Sequence, residues 1–89
     1  MAASVAFVAD AEAKCYAKYF TGHGNGARSE TGIANARADW SNKVDSVLPW
    51  PYSVWARAYD QSWGCEWARR YKKVGWRNYC YAKARPCNK

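Results

Sequence analysis

Apolar and polar positions change their spacing several times along this 89-residue chain, and each change predicts an element. Over residues 11–21 Cys15, Ala17 and Tyr19 alternate with Lys14, Tyr16 and Lys18, the period of a strand. Gly22-His23-Gly24-Asn25-Gly26 then reads as a break, a flexible turn that exposes His23. Ser29 is placed to cap a helix and Glu30 to sit in its first turn. Ile33, Ala36, Arg37, Trp40, Val44, Val47 and Leu48 follow near the helical period, predicting a helix that lays one stripe on a sheet and ends at Pro49. Gly32 weakens its first turn.

Pro51 suits the first position of a second, shorter helix, along which Tyr52, Trp55, Ala56, Tyr59 and Trp63 recur at spacings of three and four. The rival reading is a strand with Tyr52, Val54, Ala56 and Ala58 on one face. From Gly64 the pattern is a β-hairpin: Cys65 to Tyr71, a turn through Lys72-Lys73-Val74-Gly75, then Trp76 to Lys83, with Pro86 ending the order. The expected fold is α+β in the order β-α-α-β-β, a small three-stranded antiparallel sheet covered on one face by two helices.

Composition makes that fold a single domain, residues 1–89, and one that needs staples. The chain has one Leu, one Ile and two Phe against six Trp and seven Tyr, so its core is built from side chains with polar tips. Cys15, Cys65, Cys80 and Cys87 form an even set in a short chain, which favours disulfides and an oxidising compartment, periplasmic or secreted. Three pairings exist in principle. A hairpin turning at Lys72-Lys73 puts Cys65 opposite Cys80, which leaves Cys15 for Cys87. The competing readings are four free thiols in a cytosolic protein and a zinc site. Zinc is disfavoured because no CxxC or CxxxC pair is present and the only His, His23, lies far from the cysteine-rich end. No stretch approaches the roughly 20 apolar residues of a membrane span. Residues 1–9 are small and apolar, and residues 1–10 hold no Lys or Arg, the first being Lys14. They read as a flexible segment or signal remnant, or as an ordinary first strand.

Charge separates the two halves. Through residue 63 the six basic and six acidic residues cancel. Residues 64–89 carry Arg69, Arg70, Lys72, Lys73, Arg77, Lys83, Arg85 and Lys89 against Glu66 alone, and so hold the whole net charge of +7.

Gly24, Ala34, Ala38, Trp40 and Val44, then Tyr52, Trp55 and Ala58, then Cys65, Tyr79, Cys80, Ala84, Pro86 and Cys87 together resemble a pattern of small exported, disulfide-containing proteins of alphaproteobacteria. The resemblance covers roughly residues 22–87. It departs at Pro49-Trp50-Pro51, where the pattern has a glycine near a Tyr, and in the basic loading near the end. It implies export and disulfides, and supplies no activity.

Catalysis fits poorly, because a nucleophile or general base needs a partner that tunes it and none is evident beside His23 or among the carboxylates. The glycine-rich stretch precedes a helix, as anion-cradling loops do, but is neither GxGxxG nor a Walker sequence and reads as a plain turn. No cofactor is implied. The sharper candidate is the hairpin, residues 64–89, with Trp67, Arg69, Arg70, Tyr71, Lys72, Lys73, Arg77, Tyr79, Tyr81 and Lys83 as ligand-binding residues. Alternation puts Trp67, Arg69 and Tyr71 on one face of its first strand, and Arg77, Tyr79, Tyr81 and Lys83 opposite Trp76, Asn78, Cys80 and Ala82 on its second. Aromatic platforms beside cations suit an anionic polymer: nucleic acid by stacking and phosphate neutralisation, or an envelope glycan or lipopolysaccharide by sugar stacking and pairing to Arg. The alternative is a protein-interaction module, for example an inhibitor or accessory subunit, that docks on a protein partner through exposed Trp and Arg, with Trp50 between two prolines as the natural anchor. Against both stands the reading that the aromatics are core, as expected for Trp40, Trp55 and Trp76, and the charges only solubilise.

Overall fold

A computed structural model describes residues 14–89. The expectations for residues 1–10 and for residues 11–13 of the first strand lie outside the described residues. From Lys14 to Tyr19 the chain is irregular apart from a bridge at Cys15, and the strand begins only at Phe20. The elements are β1 (Phe20–Gly26), α1 (Ser29–Asp45), a single 3-10 turn at Trp55–Arg57, β2 (Tyr59–Ala68) and β3 (Arg77–Arg85). β3 is the central strand of an antiparallel sheet in the order β1-β3-β2.

The glycine-rich stretch is not a turn. It is β1, and its alternate residues Gly22 and Gly24 face the helix. A Cβ on Gly22 would lie 2.1 Å from the Ala36 carbonyl oxygen, and one on Gly24 would lie 2.4 Å from the Ala36 nitrogen. The helix backbone therefore rests directly on the strand backbone, an approach only glycine permits. α1 runs antiparallel to β1, with Thr31 near Gly26 and Trp40 over Gly22.

The first predicted helix is present with its start and stop close to expectation. Ser29 is the first helical residue, and the cap position falls to Arg28, whose carbonyl accepts from the Gly32 N–H at 3.1 Å. Glu30 and Lys43 suit the polarity of the two ends. The last turn closes by Leu48 N–H donating to the Val44 carbonyl at 2.7 Å, before Pro49. Buried Gly32, Ala36, Trp40 and Val44 form a stripe at intervals of four, whereas Val47 is exposed. Gly32 is a contact rather than a weakness: a Cβ there would lie 2.4 Å from Cys80 Sγ.

Below α1 the core has two parts, Ala36 with Cys80 and Ala82, and Trp40 with Val44 and Ala84. Trp40 is wholly buried. Its indole N–H donates to the Ala84 carbonyl at 3.2 Å and its ring meets Trp55 edge-on at 5.1 Å. Small residues on β3 leave the room that these two indoles fill.

The second helix is absent, so one helix covers the sheet instead of two. After the cis Trp50–Pro51 peptide the chain descends through turns in which Tyr52 bonds to Pro49, Val54 to Pro51, Arg57 to Val54 and Ala58 to Trp55. Asp60 has a φ of +57°, and a bulge lies between Tyr59 and Ser62. The segment assigned to that helix's second half is the start of β2. Pairing with β3 overrides the three-and-four spacing of its aromatics, because every residue from Ser62 onward joins the ladder.

Both expected disulfides form. Cys65 stands opposite Cys80 in the β2–β3 register, and Cys15 joins Cys87 through an isolated antiparallel bridge. They close intervals of 15 and 72 residues, worth about 3 and 4 kcal/mol in the chain-entropy account. All four thiols are consumed, which removes the sulfur ligands of a zinc site.

Candidate functional site

Pairing register sorts the hairpin residues into three groups. Cys80, Ala82 and Ala84 of β3 point to the helix, together with Trp63, Cys65 and Trp67 of β2. Arg77, Tyr79, Tyr81, Lys83 and Arg85 alternate with them and occupy the opposite face, which no helix covers. His23 and Asn25 of β1 join that open face opposite Tyr81 and Tyr79. β2 ends at Ala68, so Arg69, Tyr71, Lys72 and Lys73 belong to the connecting turn rather than to a strand face.

A groove of about 570 Å³ runs across the open face. His23 and Asn25 line one side, Glu66, Arg70 and Tyr71 the other, and Tyr79 and Tyr81 the middle. The Tyr81 ring lies across Gly64, where a Cβ would approach Tyr81 Cε1 to 3.0 Å. The Arg70 guanidinium sits 4.6 Å from the Tyr79 ring centroid and donates to Glu66 Oε1 at 2.7 Å. Arg77 Nε–H donates to Asn25 Oδ1 at 3.0 Å, fixing a second guanidinium across the β1–β3 pair. Held in this way, each guanidinium loses little rotamer freedom when an anion reaches it.

Lys83 faces the same way but lies toward the other end, its ammonium 5.0 Å from the Tyr19 ring. There the Tyr19 hydroxyl donates to Asp60 Oδ2, which with that carboxylate's negative charge raises the tyrosine's pKa. Arg85 lies over Tyr59 at 5.5 Å and donates to the Tyr16 carbonyl at 3.0 Å. On this face, then, cations cap tyrosines in three pairs. Tyr81 is the face's aromatic with no cation over its ring among the described residues.

Of the ten sequence-predicted site residues, the groove brings together Arg70, Tyr71, Tyr79 and Tyr81, with Arg77 and Lys83 on the same face. Trp67 is on the helix side, more than half exposed, stacked on Trp76 with centroids 6.3 Å apart. Trp76, expected in the core, is also more than half exposed. α1 lies over β1 and β3 and leaves this edge of β2 bare. Trp50 is 72% exposed with Arg57 at 5.7 Å from its ring.

His23, Asn25 and Glu66 were not among the expected binding residues. Their signal was the alternation of His and Asn with glycines, a strand period visible only if glycine counts as the inward residue. Asp39 shows the same connection from the helix: it accepts from the His23 backbone N–H at 2.8 Å and pairs with Lys43 at 3.1 Å. Those contacts, the backbone bond foremost, hold its carboxyl below the ordinary range. Arg37 was read as part of the helix stripe and is instead flanked by two indoles, 5.5 Å from Trp55 and 5.2 Å from Trp63. Its buried Nε has no partner among the described residues.

Comparison with known proteins finds no matching family model, no matching curated protein and no matching solved structure. Among the described residues no group of three or more His, Cys, Asp or Glu is placed to hold a metal ion, and no helix is long and apolar enough to cross a membrane.

Proposed function

We propose that this protein is an exported, non-enzymatic module that binds an anionic polymer, an envelope glycan, lipopolysaccharide or nucleic acid, along the open face of its hairpin. The observation that carries the reading is the groove itself: two tyrosines side by side on an uncovered sheet face, with the Arg70 guanidinium lining it and a second guanidinium, Arg77, bonded to Asn25 of its wall. A sugar or base has a π-face in Tyr81, and phosphate, sulfate or carboxylate has Arg70 and Arg77 within the same span. Arg70 is shared with Glu66, so the polymer's anion takes over a bond that the free protein makes internally. The two disulfides support export.

The test is anisotropy of labelled single-stranded oligonucleotide, sulfated glycan and lipopolysaccharide at two salt concentrations. Contacts to Arg70, Arg77 and Lys83 give a log–log salt slope on the order of −2 for a single strand. Tyr81→Ala lowers affinity about tenfold, the loss of one stacking platform. No binding of any of the three at low salt would overturn the reading, as would unchanged affinity in Tyr81→Ala and Arg77→Gln together. Among the three polymers, the one that Tyr81→Ala weakens most is the natural chemistry.

A further inference from the structure

The end of the hairpin holds a second surface, which shares Tyr71 alone with the groove. Trp67, Tyr71 and Trp76 are each more than half exposed and Val74 nearly so, all within the last residues of β2 and the turn that follows. Trp67 and Trp76 stack on each other, inclined by 18°, across the base of that turn. Between them the chain reads Arg69-Arg70-Tyr71-Lys72-Lys73-Val74-Gly75. Arg70 folds back to Glu66, whereas Arg69, Lys72 and Lys73 have no acidic partner among the described residues. The turn is closed on itself: the Tyr71 carbonyl accepts from the N–H groups of Val74 and Gly75 at 3.1 and 3.2 Å, with Gly75 at a φ of +78°.

We infer that this turn docks on an anionic lipid bilayer, with Trp67 and Trp76 at headgroup depth and Arg69, Lys72 and Lys73 on the lipid phosphates. Indoles and phenols settle at the polar edge of the hydrocarbon, where one end is apolar and the other wet. The cations supply attraction to a negatively charged leaflet. The internal bonds of the turn let it enter that layer without bringing unpaired backbone donors from 74 and 75. Charge decides against a second copy of the chain as occupant, because residues 64–89 offer Glu66 as their sole acid and two such tips would repel. A bilayer also needs no complementary shape. The surface meets the groove only at Tyr71, and none of Trp67, Trp76, Val74, Arg69, Lys72 and Lys73 lines the groove, so the two proposals are tested by separate variants.

Vesicles of phosphatidylcholine with phosphatidylglycerol, and of phosphatidylcholine alone, test this by co-sedimentation and tryptophan emission. The protein is expected to sediment with the anionic vesicles and to shift its emission to the blue. Trp67→Ala with Trp76→Ala lowers partitioning about tenfold and removes the shift. Arg69→Gln, Lys72→Gln and Lys73→Gln together lower it about a hundredfold, at about fivefold per cation. Val74→Asp, a single exposed change in the turn, weakens partitioning in a chain whose packing is untouched. Retention by salt-sensitive adsorption alone, with no blue shift and no effect of the tryptophan or Val74 variants, would overturn the inference, and so would equal partitioning to both vesicles. Polymer binding measured on the same tryptophan variant stays at the parent level if the groove reading is also correct.

Discussion

A methyl group is the smallest side-chain change, and at position 22 it is among the most damaging this chain can suffer. Its carbon would fall 2.1 Å from a helix carbonyl oxygen and 2.3 Å from the Trp40 nitrogen, both backbone atoms that cannot swing aside. Gly22→Ala is therefore expected to cost about 3 kcal/mol or more in chemical unfolding, as overpacking against fixed backbone does. A loss within about 0.5 kcal/mol, the range of ordinary surface changes, would mean that α1 does not rest on β1 as described. The same residue explains why part of the fold was hard to read. Glycine normally punctuates a chain, so three of them alternating with His23 and Asn25 look like a loop. Their spacing of two was a strand signal written in the absence of side chains, and Gly32 answers it from the helix.

Among the elements, α1 was legible because its buried stripe is long and its ends carry the expected charges. The hairpin and its disulfide were legible because a symmetric segment has one natural turn. The stretch 51–63 was not. Its aromatics satisfy a helical spacing from Tyr52 to Trp63, which locally favours a helix, while Trp63, Cys65 and Trp67 satisfy the strand period. The Cys65–Cys80 cross-link favours the strand, because it pins a register that carries back through Trp63 and Ser62 toward Tyr59. Replacing both cysteines with Ser is expected to cost about 3 kcal/mol. It should also speed amide hydrogen exchange in β2 more than in β1, which is held by the helix instead. Equal acceleration in the two edge strands would show that the cross-link does not set the register locally.

At the scale of the molecule the basic excess proved easy to locate and hard to subdivide. The sequence places all of it after residue 63, and the binding residues were expected as one continuous surface. Backbone pairing divides them instead: Tyr79, Tyr81 and Arg77 on the open sheet face, Trp67 with Trp76 at the bare edge of the other face, and Arg69, Lys72 and Lys73 beyond the end of both strands. Alternation alone could not show this, because β2 stops at Ala68 and the period stops with it. The two cross-links add a constraint of a different kind. They are nested, the pair 65–80 lying wholly inside the pair 15–87. A chain threaded into an oxidising space with its N-terminal end first presents Cys15 alone, and the next thiol to arrive, Cys65, is the wrong one. Correct pairing then depends on Cys80 capturing Cys65 sooner than Cys15 does, or on exchange afterwards. Acid-trapping during oxidation is expected to catch the 15–65 species early in the wild-type chain and to lose it in Cys80-first refolding from a pre-formed hairpin. Its absence from every time point would mean that the hairpin closes before Cys15 can compete, making the last-made third of the chain the organiser of the first.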